Sequence, residues 1–91
     1  MIVITREQGT GRVVLTAHGE LDDDTVKALI DALALADDDE PIVIDLADSG
    51  ALRTSRDVGL MSAIAFRSGP VAFRHARRCH RSLVRAAAVA T

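Results

Sequence analysis

Runs of apolar residues alternate along the chain with segments of helical periodicity. The first two runs, MIVIT (1–5) and RVVLTAHG (12–19), are rich in β-branched residues and flank the polar stretch EQGTG, whose two glycines favour a turn. We therefore predict a β-hairpin. PIVIDL (41–46) is almost entirely apolar, as is typical of a strand buried on both faces of a sheet. ADSG (47–50) then predicts a loop, and VAF (71–73) predicts a short further strand.

Helical periodicity first appears after residue 22. Four apolar residues follow the i, i+3, i+4, i+7 spacing of one helix face: Val26, Leu29, Ile30 and Leu33. Asp22, Asp23 or Asp24 can cap the start of this helix by accepting backbone N–H bonds, and their charge suits the positive end of the helix dipole. The acidic run 37–40 would be unfavourable in the last turn, so the helix should end near Ala36.

Two further helices are predicted in the second half of the chain. From about residue 55, one helical face carries Val58, Met61, Ile64 and Ala65, with Leu60 beside them. SGP (68–70) ends this helix, because glycine just past a helix and proline soon after it are common. Residues 74–91 favour a third helix, whose apolar side would hold Ala76, Cys79, Leu83 and Ala87. The order ββαβαβα predicts a single domain, residues 1–91, with one small mixed α/β sheet packed with helices.

Composition narrows the class of protein. The chain has 91 residues, of which 48% are hydrophobic and only 2% aromatic, so the core must be built from aliphatic side chains. No apolar run reaches the roughly 20 residues that span a bilayer, and the stretch MIVITREQGTG has no basic region before an apolar one, as a signal peptide would have. The single cysteine cannot form an internal disulfide. We therefore expect a cytoplasmic protein.

The net charge of −2 hides an uneven distribution. Residues 1–50 hold three basic residues against twelve acidic ones, and residues 51–91 hold eight arginines against Asp57 alone. We expect the two halves to attract each other in the fold, so that most of the charge of each half is neutralised by the other. In a single helix, one stripe would align Arg74, Arg78, Arg81 and Arg85. A solvated face is the simpler interpretation of this stripe, and the shortage of aromatic residues argues against nucleic acid as a partner.

Candidate catalytic and metal-binding residues lack the expected partners. Asp45 and Asp48 follow the apolar strand, but no nucleophile motif, phosphate-binding loop or zinc-binding motif accompanies them. The aspartates 22–24 are consecutive and lack the spacing of metal ligands. His75, Cys79 and His80 lack a fourth ligand at zinc-like spacing, so we expect a buried cysteine and two surface histidines. The sequence predicts no enzyme, cofactor or metal.

Three segments together resemble a known family. VVLTAHGELDDDTVKALIDAL resembles a strand followed by Gly-Glu-Leu-Asp and an amphipathic helix, IVIDLADSGAL resembles the next strand and its loop, and RTSRDVGLM lies where the family has Asp-Ser-Ser-Gly-Leu-Gly. This arrangement is similar to that of STAS domains, the anti-sigma factor antagonist family, over roughly residues 1–66. The resemblance implies a partner-switching module. Its unmodified form binds an anti-sigma factor or histidine-kinase-like ATPase, and phosphorylation of one hydroxyl releases that partner.

The phosphorylation motif can be carried over without a gap. The family's first serine falls on Thr54 and its second on Ser55, while Arg53 and Arg56 replace the family's Asp and Gly. The resemblance places Asp22, Thr25, Arg53 and Arg56 at the partner surface. Two arginines beside a hydroxyl would hold a phosphate by charge-assisted hydrogen bonds. Two hypotheses stay open, a divergent switch and a module that binds without phosphorylation, and either hydroxyl can instead cap the helix.

Two alternative functions and one hypothesis on assembly stay open. Arg53, Arg56 and the C-terminal arginine stripe could form a small anion- or ligand-binding domain. The resemblance also admits a STAS-type regulatory subunit of a transporter ATPase. Finally, the short strand VAF leaves the sheet without a full edge strand, which makes a homodimer or an obligate partner a reasonable hypothesis.

Overall fold

The fold is one mixed sheet with helices packed on it. A computed structural model describes residues 1–53 and 57–90, with the backbone alone at 57, 86, 87, 89 and 90. Its strands lie in chain order: β1 (Ile2–Arg6), β2 (Val13–Leu21), β3 (Ile42–Leu52) and β4 (Val71–Arg74). Its helices are α1 (Asp23–Leu35), α2 (Asp57–Ala65) and α3 (Arg81–Ala90), and a 3₁₀ turn, Arg78–His80, precedes α3. The predicted order ββαβαβα and the mixed α/β sheet are confirmed.

The predicted hairpin is present. β1 pairs antiparallel with β2 from Ile2 opposite Ala17 to Arg6 opposite Val13. β2, β3 and β4 then run parallel to one another, as expected of strands joined through helices. Because side chains alternate along β2, one face of the sheet contributes a row of core residues: Val13, Leu15 and Ala17.

The core is aliphatic, and each helix contributes to it. α1 buries its predicted stripe at Val26, Leu29 and Leu33, and α3 is anchored by Leu83, which is 2% exposed. The predicted inner face of α2 was partly wrong. Leu60 is fully buried, whereas Val58 is 72% exposed. α2 is apolar around most of its circumference, so periodicity alone could not say which side faces the core.

β3 is longer than its apolar run suggested, and the predicted loop at 47–50 was wrong. The strand continues to Leu52 and pairs with β2 as far as Leu21. Two irregularities each insert one extra residue in β3, between the pairs Thr16–Asp45 and His18–Asp48 and again after Gly19–Ser49. Such bulges bend a strand without ending it, so turn-forming residues are accommodated within the strand.

The C-terminal segment is not one helix from residue 74. Arg74 ends strand β4, His75 adopts a positive φ of 59°, and α3 begins only at Arg81. The predicted stripe is therefore divided between a strand, a 3₁₀ turn and a helix. Within the turn, Cys79 is exposed and His80 is fully buried, the reverse of the prediction. Local sequence could not foresee this, because a partner on β3 rather than helical periodicity determines which side chain is buried.

One arginine fixes the end of α1 to the loop after α2. The guanidinium of Arg67 donates to the carbonyl of Leu33 at 3.1 Å, to that of Asp37 at 2.8 Å and to that of Glu40. A cation at the carboxyl end of a helix also complements the helix dipole. α1 ends at Leu35 as predicted, and the acidic turn that follows is held through its carbonyl groups.

A glycine permits this close approach. A Cβ atom added at Gly69 would lie 2.6 Å from the carbonyl carbon and oxygen of Asp39, so a side chain there requires the backbone to move. We expect Gly69→Ala to lower the free energy of unfolding by about 1–3 kcal/mol, measured by urea denaturation. The matched control is Gly50→Ala, whose Cβ would meet Glu20 at an ordinary 3.5 Å. An equal loss in both variants would contradict this account of Gly69.

Candidate functional site

The ends of β2 and β3 form one corner of the molecule. Leu21 pairs with Leu52, and the backbone N–H of Arg53 donates to the carbonyl of Leu21 at 2.9 Å. Residue 53 therefore adjoins the start of α1. The phosphorylation candidates Thr54 and Ser55, together with Arg56, lie outside the described residues, and α2 begins at residue 57.

Asp22 caps α1 at this corner. Its carboxylate accepts the backbone N–H of Thr25 at 2.9 Å, and hydrogen bonds from Thr25 lower the pKa of Asp22. Asp22 is exposed and can contact a partner. Thr25 is only 7% exposed, so its contribution to the corner is mainly to position Asp22. Of the three aspartates proposed as caps, the structure selects Asp22.

Arg53 is the one arginine of the predicted motif that the structure describes. Its side chain is 70% exposed, and its Nε atom lies 3.8 Å from a carboxylate oxygen of Glu20. An exposed ion pair of this length is weak, so the guanidinium can turn to another anion at little cost. Arg53 is thus positioned to contact a partner or a phosphate at the corner.

α2 presents apolar side chains to solvent beside this corner. Apart from Gly59, its exposed residues follow helical spacing: Val58, Ser62, Ala65 and, just past the helix, Phe66. We call these four residues the outer face of α2. Val58 is 72% and Phe66 85% exposed, and the face carries no charge. Exposed large apolar side chains grouped on one helix are a feature of docking surfaces.

A buried Ser–His pair lies where the 3₁₀ turn meets β3. The Nε2 atom of His80 is 3.0 Å from Ser49 Oγ and 3.0 Å from the carbonyl oxygen of Gly50. The backbone N–H of Arg77 donates to Nδ1 at 3.0 Å, which assigns the ring proton to Nε2. Ser49 in turn donates to the carbonyl of Leu46 at 3.0 Å. His80 therefore donates toward Ser49 and does not act as its base.

This pair closes the open side of β3. β4 covers only Ile42–Asp45, and the later carbonyl groups of β3 accept from side chains instead. The Nε2–H group of His80 donates to the carbonyl oxygen of Gly50, and the guanidinium of Arg77 donates to the carbonyl oxygen of Ser49. Sequence reasoning missed His80. The usable signal was the mismatch between a very short last strand and the long strand beside it, which leaves backbone groups that need partners.

A third cluster lies on the sheet face that the helices leave open. Arg74 contacts Glu7 at 2.6 Å and Asp45 at 3.3 Å, and His75 Nδ1 lies 3.1 Å from Asp45. Burial alone would raise the pKa of Asp45, but the backbone N–H of Ala47, His75 and Arg74 outweigh it and lower that pKa. These contacts join the acidic and basic halves of the chain, which were predicted to neutralise most of each other's charge. Among the described arginines of the second half, Arg53 and Arg74 have a carboxylate within ion-pair distance. The carboxylates of Glu7 and Asp45 and the guanidinium of Arg74 all have partners inside the cluster, so these contacts help to hold β1, β3 and β4 together.

The remaining arginines line a groove between the 3₁₀ turn and α3. Its volume is about 600 Å³. The arginines of the groove are Arg77, Arg78, Arg81 and Arg85, and small apolar residues, among them Ala76 and Val84, line the rest. We call this the basic groove. Three of the four arginines of the predicted stripe line this groove. The fourth, Arg74, lies in the ion-paired cluster instead.

Comparison with known proteins gives a fold neighbour. No family model and no curated protein matches the chain. Among solved structures, the chain is similar to one described as "Crystal Structure Analysis of Mglu", with 19% sequence identity and a TM-score of 0.59. The match covers 84% of this chain and 20% of the other, so the chain spans about a fifth of the structure it matches. At this identity the likeness shows the fold alone. Within the described residues, no helix is long and apolar enough to cross a membrane.

The ion-paired cluster predicts a pH dependence of stability. Hydrogen bonds from Arg12, then Arg74 and Thr10, lower the pKa of Glu7 from an ordinary 4.5 to about 2. Because the folded-state pKa is the lower one, the carboxylate stabilises the fold fully above 4.5, and this contribution is lost as pH falls from 4.5 to about 2. Glu7→Gln should therefore lower the urea midpoint at neutral pH, with a difference from the parent that shrinks on acidification. A difference independent of pH would contradict the assignment.

The buried histidine predicts a second, larger effect. His80→Ala removes the partner of two backbone groups and leaves a cavity, so we expect a loss of about 1–3 kcal/mol in the free energy of unfolding. Arg78→Ala is the matched control, because Arg78 lies in the same 3₁₀ turn with an exposed side chain. Urea denaturation of both variants measures the difference. Equal stability of the two variants would show that His80 does not anchor the turn.

Proposed function

We propose that the chain is a STAS-like interaction module of the anti-sigma factor antagonist type. It acts in the cytoplasm, has no catalytic activity, and binds an anti-sigma factor or a histidine-kinase-like ATPase in partner switching. The observation that carries the proposal is the exposed apolar outer face of α2, whose first residue, Val58, lies three positions after Ser55. The element order and the corner that brings Arg53 beside Leu21 and the start of α1 also support it.

The outer face of α2 supplies binding energy that the isolated chain does not use. Burying a side chain such as Val58 or Phe66 against a partner gains about 1.5–3 kcal/mol. Leu60 and Ile64 on the opposite side already fix α2 to the core, so the outer face can bind without disturbing the fold. A partner with an apolar surface and a polar rim near Asp22 and Arg53 would fit this corner.

Phosphorylation would oppose that binding at close range. A phosphate on Thr54 or Ser55 adds a charge of about −1.5 to −2 immediately before α2. A partner that buries the outer face would then have to desolvate this charge. The alternative is that Arg53 and Arg56 hold the phosphate, which would leave the partner surface accessible. The first case makes a switch, and the second makes a module that binds in both states.

A homodimer is a separate part of the proposal. The described sheet has two edge strands, β1 and β4, and an edge strand can pair with a strand of another molecule. β1 is the more open of the two, because most of its residues are exposed, including Ile4 at 58%. The uncovered length of β3, which the sequence had pointed to, is already occupied by Arg77 and His80.

One substitution that introduces a charge tests whether the outer face of α2 binds a partner. Phe66→Asp should weaken binding to a cognate histidine-kinase-like anti-sigma factor about ten- to hundredfold, because the apolar contact is lost and a charge is buried. Titration calorimetry with the purified partner measures the affinity. Leu35→Asp is the matched control, because Leu35 is also 85% exposed but lies at the end of α1. Equal effects of the two substitutions would rule out α2 as the docking face.

The switch itself is tested in the same assay. Thr54→Glu or Ser55→Glu should weaken binding if phosphorylation releases the partner. Incubation with the partner and ATP, followed by mass spectrometry of the parent chain and the alanine variants, identifies the modified hydroxyl. Binding that survives both glutamate substitutions, with no phosphorylation, decides for a module that binds without a switch.

A further inference from the structure

The arginines of the chain divide into two groups. Most of those described outside the basic groove have polar partners: Arg6 contacts Glu40, Arg12 contacts Glu7, and Arg67 donates to three carbonyl groups. Arg78, Arg81 and Arg85 have no carboxylate within ion-pair distance among the described residues, and all three are exposed. The basic groove therefore concentrates positive charge that no carboxylate of the described residues neutralises.

The groove is also held in shape before anything binds. Arg77, at its inner end, is fixed to β3 through the carbonyl of Ser49, and the adjoining turn is fixed by the buried ring of His80. On the other side, Leu83 anchors α3 in the core. A site whose walls are already positioned loses less conformational entropy on binding than a flexible arginine-rich tail would.

We propose that the basic groove is a docking site for an acidic, amphipathic helical segment of a partner protein. Arg81 and Arg85 lie one turn apart on α3, and Arg78 lies in the 3₁₀ turn directly before it, so the three guanidinium groups are distributed over roughly 10 Å. Carboxylates at i, i+3 or i+4, and i+7 of a facing helix repeat at the same spacing. Small apolar side chains of that helix would cover Ala76 and Val84 between the ion pairs.

A small anion or a nucleic acid would contact fewer of the residues that line the groove. A small anion would engage one or two guanidinium groups and leave the apolar lining exposed to water. Nucleic acid would find the phosphate contacts, but the groove has no aromatic side chain on which bases could stack. The docking site uses residues distinct from the outer face of α2, so it does not depend on the function proposed above.

The test uses the whole chain and a synthetic peptide. A fluorescein-labelled helical peptide of about 15 residues carries glutamates at i, i+4 and i+7 and alanine or leucine between them. Fluorescence anisotropy should show saturable binding that weakens with added salt. Arg81→Gln combined with Arg85→Gln should weaken it about tenfold, as expected for two half-exposed ion pairs of up to about 1 kcal/mol each. The control, Arg6→Gln with Lys27→Gln, makes the same change in net charge elsewhere and should bind as the parent does.

A charge exchange makes the test specific. Arg81→Glu with Arg85→Glu should lose the glutamate peptide and bind a lysine version of it. Equal losses in the groove and control variants, or equal binding of a peptide with its glutamates scrambled, would overturn the proposal. So would tighter binding of a duplex oligonucleotide or of phosphatidylglycerol vesicles than of the peptide. Self-association that disappears in the groove variants would instead assign the site to a second copy of this chain and overturn a separate partner.

Discussion

The structure depends on how the long strand β3 is closed on the side away from β2. β4 pairs with only its first four residues, and the rest of that edge would otherwise present unpaired carbonyl groups next to the core. His80 donates a ring N–H to the carbonyl oxygen of Gly50, and the guanidinium of Arg77 donates to that of Ser49. Because unpaired buried polar groups are costly, the C-terminal segment must fold back across β3. This contact sets the direction of the 3₁₀ turn and so the place where α3 begins.

The same contact determines how the charge of the chain is used. Because the last strand ends at Arg74, the side chain of this arginine lies on the open face of the sheet. There it forms ion pairs with Glu7 and Asp45. The arginines that follow His75 have no carboxylate within ion-pair distance among the described residues. A charge imbalance between two halves of a sequence thus becomes one internal ion-paired cluster and one external basic groove. The first stabilises the fold, and the second is available to a partner.

Two candidate surfaces therefore have opposite chemistry. The outer face of α2 is apolar and uncharged, whereas the basic groove is lined by guanidinium groups with small apolar residues between them. Both are attached to the aliphatic core through buried side chains, Leu60 and Ile64 of α2 and Leu83 of α3. Large apolar side chains are few in a chain with so few aromatic residues. Exposure of Phe66 to solvent at the end of α2 is therefore unfavourable unless a partner covers it.

By itself, the sequence determined the element order, the hairpin, the parallel central strands and a cap of α1 by one of the aspartates 22–24, because these follow from local periodicity and local hydrogen bonds. The structure then selected Asp22 as the cap. The sequence also pointed to the corner around Arg53 through its motif resemblance. Only the tertiary structure decided that β3 runs on through ADSG, that Leu60 rather than Val58 faces the core, and that His80 rather than Cys79 is buried. Each of these depends on a partner far away in the chain: β2 for the strand, α1 and the sheet for the helix, and the carbonyl of Gly50 for the histidine. Periodicity records which side chains can be buried, but the surface that buries them is formed only when the chain folds.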